Sequence, residues 1–88
     1  MAKRRPDVII LLDILGALLD GPKIPTRLAQ TANLSYDNLV RFATILESNK
    51  LVERKPTEGH ELYFITPEGL RLHEEFRKNL LRLGAGQL

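Results

Sequence analysis

The apolar positions of the chain recur at helical spacing through its first half, where they predict three helices in succession. The first covers residues 7–19 and includes an unbroken apolar run at 8–12 that continues at the spacing of an α-helix. The turn-forming segment DGPKIP at 20–25 ends it. A short helix at 26–32 and a longer one at 35–49 follow. The two are separated by about three residues, so they form a helix-turn-helix corner.

The helix at 35–49 is divided sharply into an apolar and a polar face. Ser35 has the chemistry of an N-cap. The apolar face, which we expect to pack on the core, consists of Leu39, Phe42, Ala43 and Leu46. The opposite face consists of Asp37, Arg41, Thr44 and Ser48. None of the latter side chains packs in a core, so this face is the first candidate for a functional surface.

Two short segments after this helix have the composition of β-strands. Residues 51–54 and 61–65 are predicted to be strands, the second rich in β-branched and aromatic side chains, and PTEGH at 56–60 contains the Pro and Gly of a turn. Three helices followed by a β-hairpin is the element order of a winged helix, with residues 55–60 as the wing. We therefore predict an α+β fold that is mostly α.

A fourth helix is predicted over residues 67–83, ending before the sequence GAG. Thr66 is its N-cap, Pro67 suits the first helical position and Glu68 suits the helix dipole. The helix is apolar on two sides. One side can pack on its own domain, which leaves the other for a second copy of the chain. The alternative is a monomer in which this helix wraps tightly around its own domain.

The first helix carries a similar apolar surplus, because its apolar arc exceeds the roughly 100° stripe that a surface helix of a monomer needs. A second strip that includes Ile10 and Ile14 either meets a partner subunit or is covered by the last helix of the same chain. The predicted dimer interface is Ile10, Ile14, Leu70, Leu72, Phe76, Leu80, Leu81 and Leu83.

Length and composition limit the possible classes of protein. Eighty-eight residues make one domain, and the absence of Cys excludes disulfides and thiolate zinc sites. The longest apolar run is far too short to span a membrane, and the basic start lacks a signal-peptide cleavage site. We expect a cytoplasmic protein that does not enter the membrane.

The positive charge is concentrated at the N-terminus. The net charge is +2 from 13 basic and 11 acidic residues, and three of the basic ones are Lys3, Arg4 and Arg5. The remaining chain has ten basic residues against 11 acidic ones, a net of −1. Attraction to a polyanion must therefore come from this tail and from local patches. The tail is either a phosphate-binding arm or a solvated, disordered end.

The sequence offers no catalytic constellation. The two histidines, His60 and His73, match no metal-ligand spacing, and DGPKIPT lacks the spacing of a phosphate-binding loop. We predict that the protein is not an enzyme and has no metal or cofactor.

Two segments, LSYDNLVRFATILESNKLVER and LYFITPEGLRLHEEF, resemble the small archaeal winged-helix proteins, and the likeness spans residues 6–83. The matching positions are Ala32–Tyr36, Leu39, Phe42, Leu46, Leu51–Val52, Tyr63, Ile65–Thr66 and Gly69. The resemblance implies DNA-binding transcriptional regulators or chromatin-associated proteins that often dimerise through a C-terminal helix. The family pattern often places Lys residues on the third helix and after the Thr of ITPEG. This chain has Asn38 and Val40 on that helix and Pro67-Glu68 after the Thr, which predicts a less basic DNA face.

We therefore predict a homodimer that binds double-stranded DNA and regulates transcription, with helix 35–49 in the major groove. The predicted DNA contacts are Lys3, Arg4, Arg5, Lys23, Thr26, Arg27, Ser35, Tyr36, Asn38, Arg41, Thr44, Arg54 and Lys55. The predicted parts are a basic tail (1–6), a winged helix-turn-helix domain (7–66), a dimerisation helix (67–83) and a flexible tail (84–88). The alternative is a winged-helix module for protein–protein interaction without DNA affinity.

Individual roles follow from side-chain chemistry. Arg41 offers a bidentate donor pair to guanine or holds a phosphate, and Asn38 can pair with adenine. Tyr36 either donates to a phosphate or packs partly inward. We expect phosphate contacts from Lys23 and from the start of the second helix. The minor groove or the DNA backbone is within reach of Arg54 and Lys55, and the N-terminal tail can bind in the minor groove. Asp37 and Glu58 oppose phosphate locally.

Overall fold

Three helices, a β-hairpin and a long fourth helix follow one another in the order that the sequence predicts. The structure, a computed structural model, describes residues 5–87, with side chains described up to residue 82. The elements are α1 (Asp7–Ala17), α2 (Pro25–Thr31), α3 (Tyr36–Ser48), β1 (Val52–Thr57), β2 (His60–Ile65) and α4 (Pro67–Gln87).

The core lies where α1, α2 and α3 meet under the hairpin. Among the described residues, its largest fully buried side chains are Ile14, Leu15, Leu18, Leu28, Leu39, Leu46, Val52 and Tyr63. All four residues predicted for the apolar face of α3 are buried, as are Leu28 and Ala29 of α2. The helix-turn-helix corner is therefore held by the packing of one face of each helix, which leaves the other face of α3 in solvent.

The core face of α1 differs from the prediction. Ile10 and Ile14 are buried within the single chain, at 5% and 0% exposure, whereas Val8 and Leu19 are 49% exposed. The prediction that Ile10 and Ile14 belong to a dimer interface is therefore wrong. Because α1 is apolar around most of its circumference, the sequence pattern does not distinguish the arc that faces the core. The helix also ends at Ala17, two residues before the predicted end.

The corner between α2 and α3 forms as the sequence indicates. Asn33 has a φ of 59°, the left-handed conformation that Asn tolerates better than most residues. Ser35 then caps α3, because its Oγ accepts a hydrogen bond from the backbone N–H of Asn38 at 3.2 Å. Together these two residues fix the direction in which α3 leaves the corner.

The hairpin is longer and its turn tighter than predicted. The strands pair from Val52–Ile65 to Thr57–His60, which leaves a turn of only Glu58 and Gly59, with φ values of 49° and 83°. Two consecutive positive φ values match the mirror-image turns favoured in two-residue hairpins. The predicted turn at 56–60 is therefore too long at both ends.

Pro56 lies inside β1, which is an unusual position because proline has no backbone N–H to donate to a neighbouring strand. The backbone N–H and C=O of Tyr63 both bond to Lys23, so they point away from β1. The facing pair Arg54–Tyr63 is therefore not hydrogen-bonded across the hairpin, and neither is the pair Pro56–Glu61 two residues further along. Pro56 thus occupies a position where no N–H is required, on an edge strand.

The same two bonds attach the extended segment before α2 to the hairpin. Lys23 N donates to the Tyr63 carbonyl at 3.2 Å, and Tyr63 N donates to the Lys23 carbonyl at 2.9 Å. This antiparallel bridge shows that the backbone between Pro22 and Pro25 is extended at Lys23. It fixes the wing relative to the helix-turn-helix corner.

The start of α4 is held firmly against the end of α3. Thr66 Oγ1 accepts from Gly69 N at 3.0 Å, as an N-cap does, and it lies within donating distance of the Lys50 and Leu51 carbonyls. A Cβ at Gly69 would lie 2.3 Å from the Leu51 oxygen, so only glycine allows this approach. The sequence pattern predicts the cap but not the close contact.

The end of α4 differs from the prediction. The helix continues through Gln87 and does not stop at Leu83, so it includes four of the five residues assigned to a flexible tail, while Leu88 lies outside the described residues. Glycine lowers helix propensity by about 1 kcal/mol per residue without forbidding the conformation. Within residues 5–87, no helix combines the length and apolar character needed to cross a membrane.

Candidate nucleic-acid interface

The polar face of α3 is open to solvent along its full length. Asp37, Arg41, Thr44 and Ser48, the four residues predicted for this face, are all exposed. They lie on consecutive turns, opposite the buried residues that attach α3 to the core. A helix of 13 residues is about 20 Å long, which is enough to lie along several base pairs.

At the N-terminal end of this face, the side chains are partly engaged with their own helix. Ser35 is occupied as the N-cap, although its hydroxyl can still donate. Tyr36 is 52% exposed, which agrees with a side chain that packs partly and leaves its hydroxyl accessible. Asp37 lies in the first turn, where a negative charge suits the helix dipole, so its presence has a structural reason.

The Arg41 side chain lies along the surface of α3. Its Nη2 donates to Asn38 Oδ1 at 3.4 Å, a long and therefore weak bond, and its guanidinium carbon lies 4.9 Å from the Phe42 ring centroid. Within the described part of the chain it forms no ion pair. The structure thus brings Asn38 and Arg41 together as adjacent donors on one side of the helix.

The C-terminal half of α3 exposes an apolar side chain, Ile45, that the predicted interface did not include. Ile45 is 42% exposed, and Val40, one turn before Thr44, is half-buried. The Thr44 hydroxyl donates to the Val40 carbonyl at 2.7 Å, so its γ-methyl is the group left for an outside contact. Ile45 lies at the border of the polar face on a helical wheel, and that border position was the only signal in the sequence.

Cations flank α3 on the side of α2. Thr26 and Arg27 lie in the first turn of α2 and are exposed. Lys23 precedes them, and its Nζ lies 2.7 Å from Asp20 Oδ1. The hydrogen bond and charge of Lys23 lower the pKa of the Asp20 carboxyl below its ordinary value. Lys23 is therefore partly neutralised, whereas Arg27 forms no ion pair within the described residues.

The wing carries the other two predicted cations, both of which are paired with acids. Arg54 lies 3.5 Å from Glu47 Oε2 and 3.6 Å from Glu61 Oε1, and the nearby Glu47 carboxylate is the main cause that raises the pKa of Arg54. Lys55 lies 3.4 Å from Glu53 Oε1 and 5.6 Å from the Phe64 ring centroid. All these groups are substantially exposed, so such pairs contribute little to stability and can exchange for phosphate.

Arg5 occupies a different place from the predicted DNA arm. Its guanidinium bonds to Asp13 Oδ2 at 2.6 Å and to the carbonyl oxygens of Ala32 and Asn33 at 3.0 and 2.8 Å. These three contacts join α1 to the end of α2, so the assignment of Arg5 as a DNA contact is corrected to a structural role. Lys3 and Arg4, the rest of the predicted arm, lie outside the described residues.

The residues predicted for a dimer interface on α4 are mostly exposed. Leu70, Leu72, Leu80 and Leu81 are between 40% and 60% exposed, and Phe76 is half-buried. The Leu83 side chain lies outside the described ones. Phe76 and Leu80, together with Ile9 and Leu12 of α1, line a shallow groove between the two helices.

Neither histidine belongs to a metal site within residues 5–82, where no group of three potential ligands clusters. His60 is exposed at the start of β2, and His73 is half-buried on α4, facing Gly16 of α1.

Comparisons with known proteins agree with this geometry. A family model described as winged helix-turn-helix matches residues 4–82, which is most of the chain. No curated protein matches the sequence closely enough to count as a relative.

Among solved structures, the chain is similar to Sso10a-2, a DNA-binding protein from Sulfolobus solfataricus. The two share 24% identity with a TM-score of 0.75, over 94% of this chain and 90% of that one. The transcriptional regulator BldR from the same organism matches at 23% identity and a TM-score of 0.81, over 91% of this chain but only 60% of BldR. A transcriptional regulator from Clostridium thermocellum, Cth-833, matches at 19% identity and a TM-score of 0.77, over 98% of both chains.

Proposed function

This chain belongs to the winged helix-turn-helix family, and from that premise we propose that it binds double-stranded DNA as a homodimer and regulates transcription in the cytoplasm. The observation that carries the proposal is the exposed polar face of α3. The opposite face of α3 supplies four buried core residues, so the orientation of the helix is fixed and its polar face is presented outward. The proposal places this face in the major groove.

Base contacts in this arrangement come from the adjacent pair Asn38 and Arg41. The carboxamide of Asn38 can pair with adenine N6 and N7, and the guanidinium of Arg41 can donate to guanine O6 and N7 or to a phosphate. Their mutual bond is long enough to break at small cost when a base takes its place. Thr44 lies one turn beyond Arg41 on the same exposed face.

Phosphate contacts come from the cations on both sides of α3. Lys23 and Arg27 lie before and within the first turn of α2, and Arg54 and Lys55 lie on the wing. Three of these four have an acidic partner within 4 Å, so binding exchanges an exposed ion pair for a phosphate contact. We therefore propose moderate affinity with a strong dependence on salt.

The homodimer is proposed to form through α4. This helix has 21 residues and is about 31 Å long, and its exposed leucines occupy two sides. An exposed apolar surface of this kind on a small protein marks an interaction site. A twofold dimer would present two copies of α3, so the target would be approximately palindromic, with half-sites one helical turn or a multiple of it apart.

A second candidate function has specific support. The acids paired with Lys23, Arg54 and Lys55, together with the exposed Tyr36 and Ile45, also suit a protein–protein interaction surface without DNA affinity. A gel-shift on random duplex across a salt series separates the two. The five cations near α3 account for a slope of log affinity against log salt of up to about −4.5 per protomer. An interaction module would show no shift at any salt concentration.

Arg41→Ala tests the placement of α3 directly. Arg41 lies at the surface and forms no ion pair within residues 5–82, and its contacts with Asn38 and Phe42 are weak, so its removal should lower the melting temperature only slightly. DNA affinity should fall roughly tenfold, since a lost base or phosphate contact costs about 1–3 kcal/mol. Arg71→Ala, which removes an exposed cation from α4, is the control and should leave affinity almost unchanged. Equal affinity of wild type and Arg41→Ala would show that α3 is not the groove helix.

A further inference from the structure

The exposed face of α3 carries methyl groups to which the contacts proposed above assign no partner. We define the methyl cluster as the consecutive residues Thr44 and Ile45. Thr44 is exposed and Ile45 is 42% exposed, although neighbouring positions bury Ala43 and Leu46 almost fully. The Thr44 hydroxyl is tied to the Val40 carbonyl at 2.7 Å, which leaves its γ-methyl for an outside contact. The burial of exposed methyl groups against a partner is favourable, because it removes apolar surface from water.

We infer that the methyl cluster contacts the C5-methyl groups of thymine and gives this protein a preference for A·T-rich duplexes. The inference rests on the proposed placement of α3 in the major groove. Thymine is the only standard base that presents a methyl group there, and apolar side chains such as the threonine methyl recognise it by contact. The cluster lies on the half of α3 that offers no charged donor for guanine.

The polar residues of α3 favour the same base pairs. Arg41 is the only Lys or Arg between Tyr36 and Ser48, so the helix has a single side chain suited to guanine. Asn38 is suited to adenine, the partner of thymine. The surrounding cations lie outside α3, on α2 and the wing, where they suit phosphates and not base edges.

The spacing along the helix sets the size of the recognised step. Asn38 and Ile45 are seven residues apart, so they lie on the same side of α3 at a separation of about 10.5 Å. Successive base pairs are about 3.4 Å apart. A side chain that pairs with adenine and one that covers a thymine methyl are thus separated by about three base-pair steps, which predicts a short A·T tract in each half-site.

Replacement of thymine by uracil tests the inference, because it removes the C5-methyl and leaves the base pairing unchanged. An A·T-rich duplex and its uracil-substituted counterpart are titrated with the full chain at one salt concentration, with fluorescence anisotropy as the readout. Burial of one methyl is worth about fourfold in affinity. The thymine duplex should therefore bind about four- to sixteen-fold tighter than the uracil duplex, for one or two methyl groups contacted.

Two variants assign this preference to the methyl cluster. Thr44→Ser removes the γ-methyl and keeps the hydroxyl that bonds to Val40, and Ile45→Ala removes the exposed apolar end of the side chain. Each should lower the ratio of thymine to uracil affinity towards one, and this ratio is the readout because any general loss of DNA affinity affects both duplexes alike. Val8→Ala, which trims a similarly exposed apolar residue of α1, should leave the ratio as in the wild type.

The outcomes separate this inference from the proposed function. Tight, salt-dependent binding to thymine and uracil duplexes alike overturns the inference and leaves DNA binding in place. A thymine preference that persists in both Thr44→Ser and Ile45→Ala also overturns it, because the methyl cluster would not be its source. Failure to bind any duplex would contradict the proposed DNA binding itself.

Discussion

At the scale of single residues, the backbone contact at Gly69 leaves no room for a side chain. A Cβ at this position would lie 2.3 Å from the Leu51 carbonyl oxygen and 2.8 Å from Ile65 Cγ1. The first of these atoms is backbone and cannot rotate away. The contact joins the first turn of α4 to the segment between α3 and β1, so it determines how the long helix leaves the domain.

We predict that Gly69→Ala destabilises the protein by about 1–3 kcal/mol, the usual cost of overpacking, despite the better helix propensity of alanine. Urea denaturation measures the effect. Gly16→Ala is the matched control, because its Cβ would lie 3.2 Å from the flexible end of His73, which can move. A gain of stability in Gly69→Ala would contradict the close approach.

Arg5 is the second residue whose role is set by distant contacts. One guanidinium bonds to Asp13 and to two carbonyls at the end of α2. Arg5→Ala should lower the free energy of unfolding by about 1–2 kcal/mol, since bonds to charged groups are worth 1.5–3 kcal/mol and this side chain is partly exposed. Arg5→Lys should recover only part of the loss, because an ammonium cannot reproduce the planar set of donors. Thermal unfolding at matched salt measures both variants, and unchanged stability in Arg5→Ala would contradict the structural role.

The contacts of Arg5 and Gly69 could not be predicted from the sequence. Asp13, Ala32 and Asn33 lie 8, 27 and 28 positions from Arg5, so no local pattern indicates that they share one guanidinium. The basic run at the N-terminus suggested a uniform arm, although Arg5 has a separate role. Gly69 was visible only as a residue that matches the family pattern, without a physical reason.

At the scale of elements, local signals predicted α3 best. A serine cap and a four-residue apolar face both act within a few positions, and both predictions were confirmed. The hairpin was predicted less well. Pro56 suggested a turn, although it lies in β1 at a position where no cross-strand hydrogen bond is required. That position depends on the bridge between Lys23 and Tyr63, forty residues apart, which the sequence pattern does not show.

Helix α1 and the end of α4 show the opposite difficulty. An apolar residue on nearly every side of α1 allows several core faces, and only the packed structure shows that Ile10 and Ile14 face inward. In α4, glycine suggested an end that the helix does not have. Of the candidate site, the polar face of α3, including Thr44, was predicted and the exposure of Ile45 was not, because Ile45 lies at the border between the two faces.

At the scale of the whole molecule, the exposed leucines of α4 make a prediction about assembly. Leu81 is 60% exposed, so Leu81→Asp should leave the fold of a single chain intact. If α4 forms the dimer, a charge there should shift the sedimentation coefficient to that of a monomer at concentrations where the wild type is dimeric. Glu75→Asp, a conservative change at another exposed position of α4, is the control. If the Leu81→Asp chain sediments as a dimer, the interface does not include this part of α4.

The central claim is that α3 presents its polar face to DNA, and a titration of the ¹⁵N-labelled protein with a duplex tests it most directly. The account predicts that the largest amide shift changes occur in α3, with smaller changes at Lys23–Arg27 and at Arg54–Lys55, while the amides of residues 72–82 change little. Shift changes that leave α3 untouched and concentrate on α4 or α1 would contradict it.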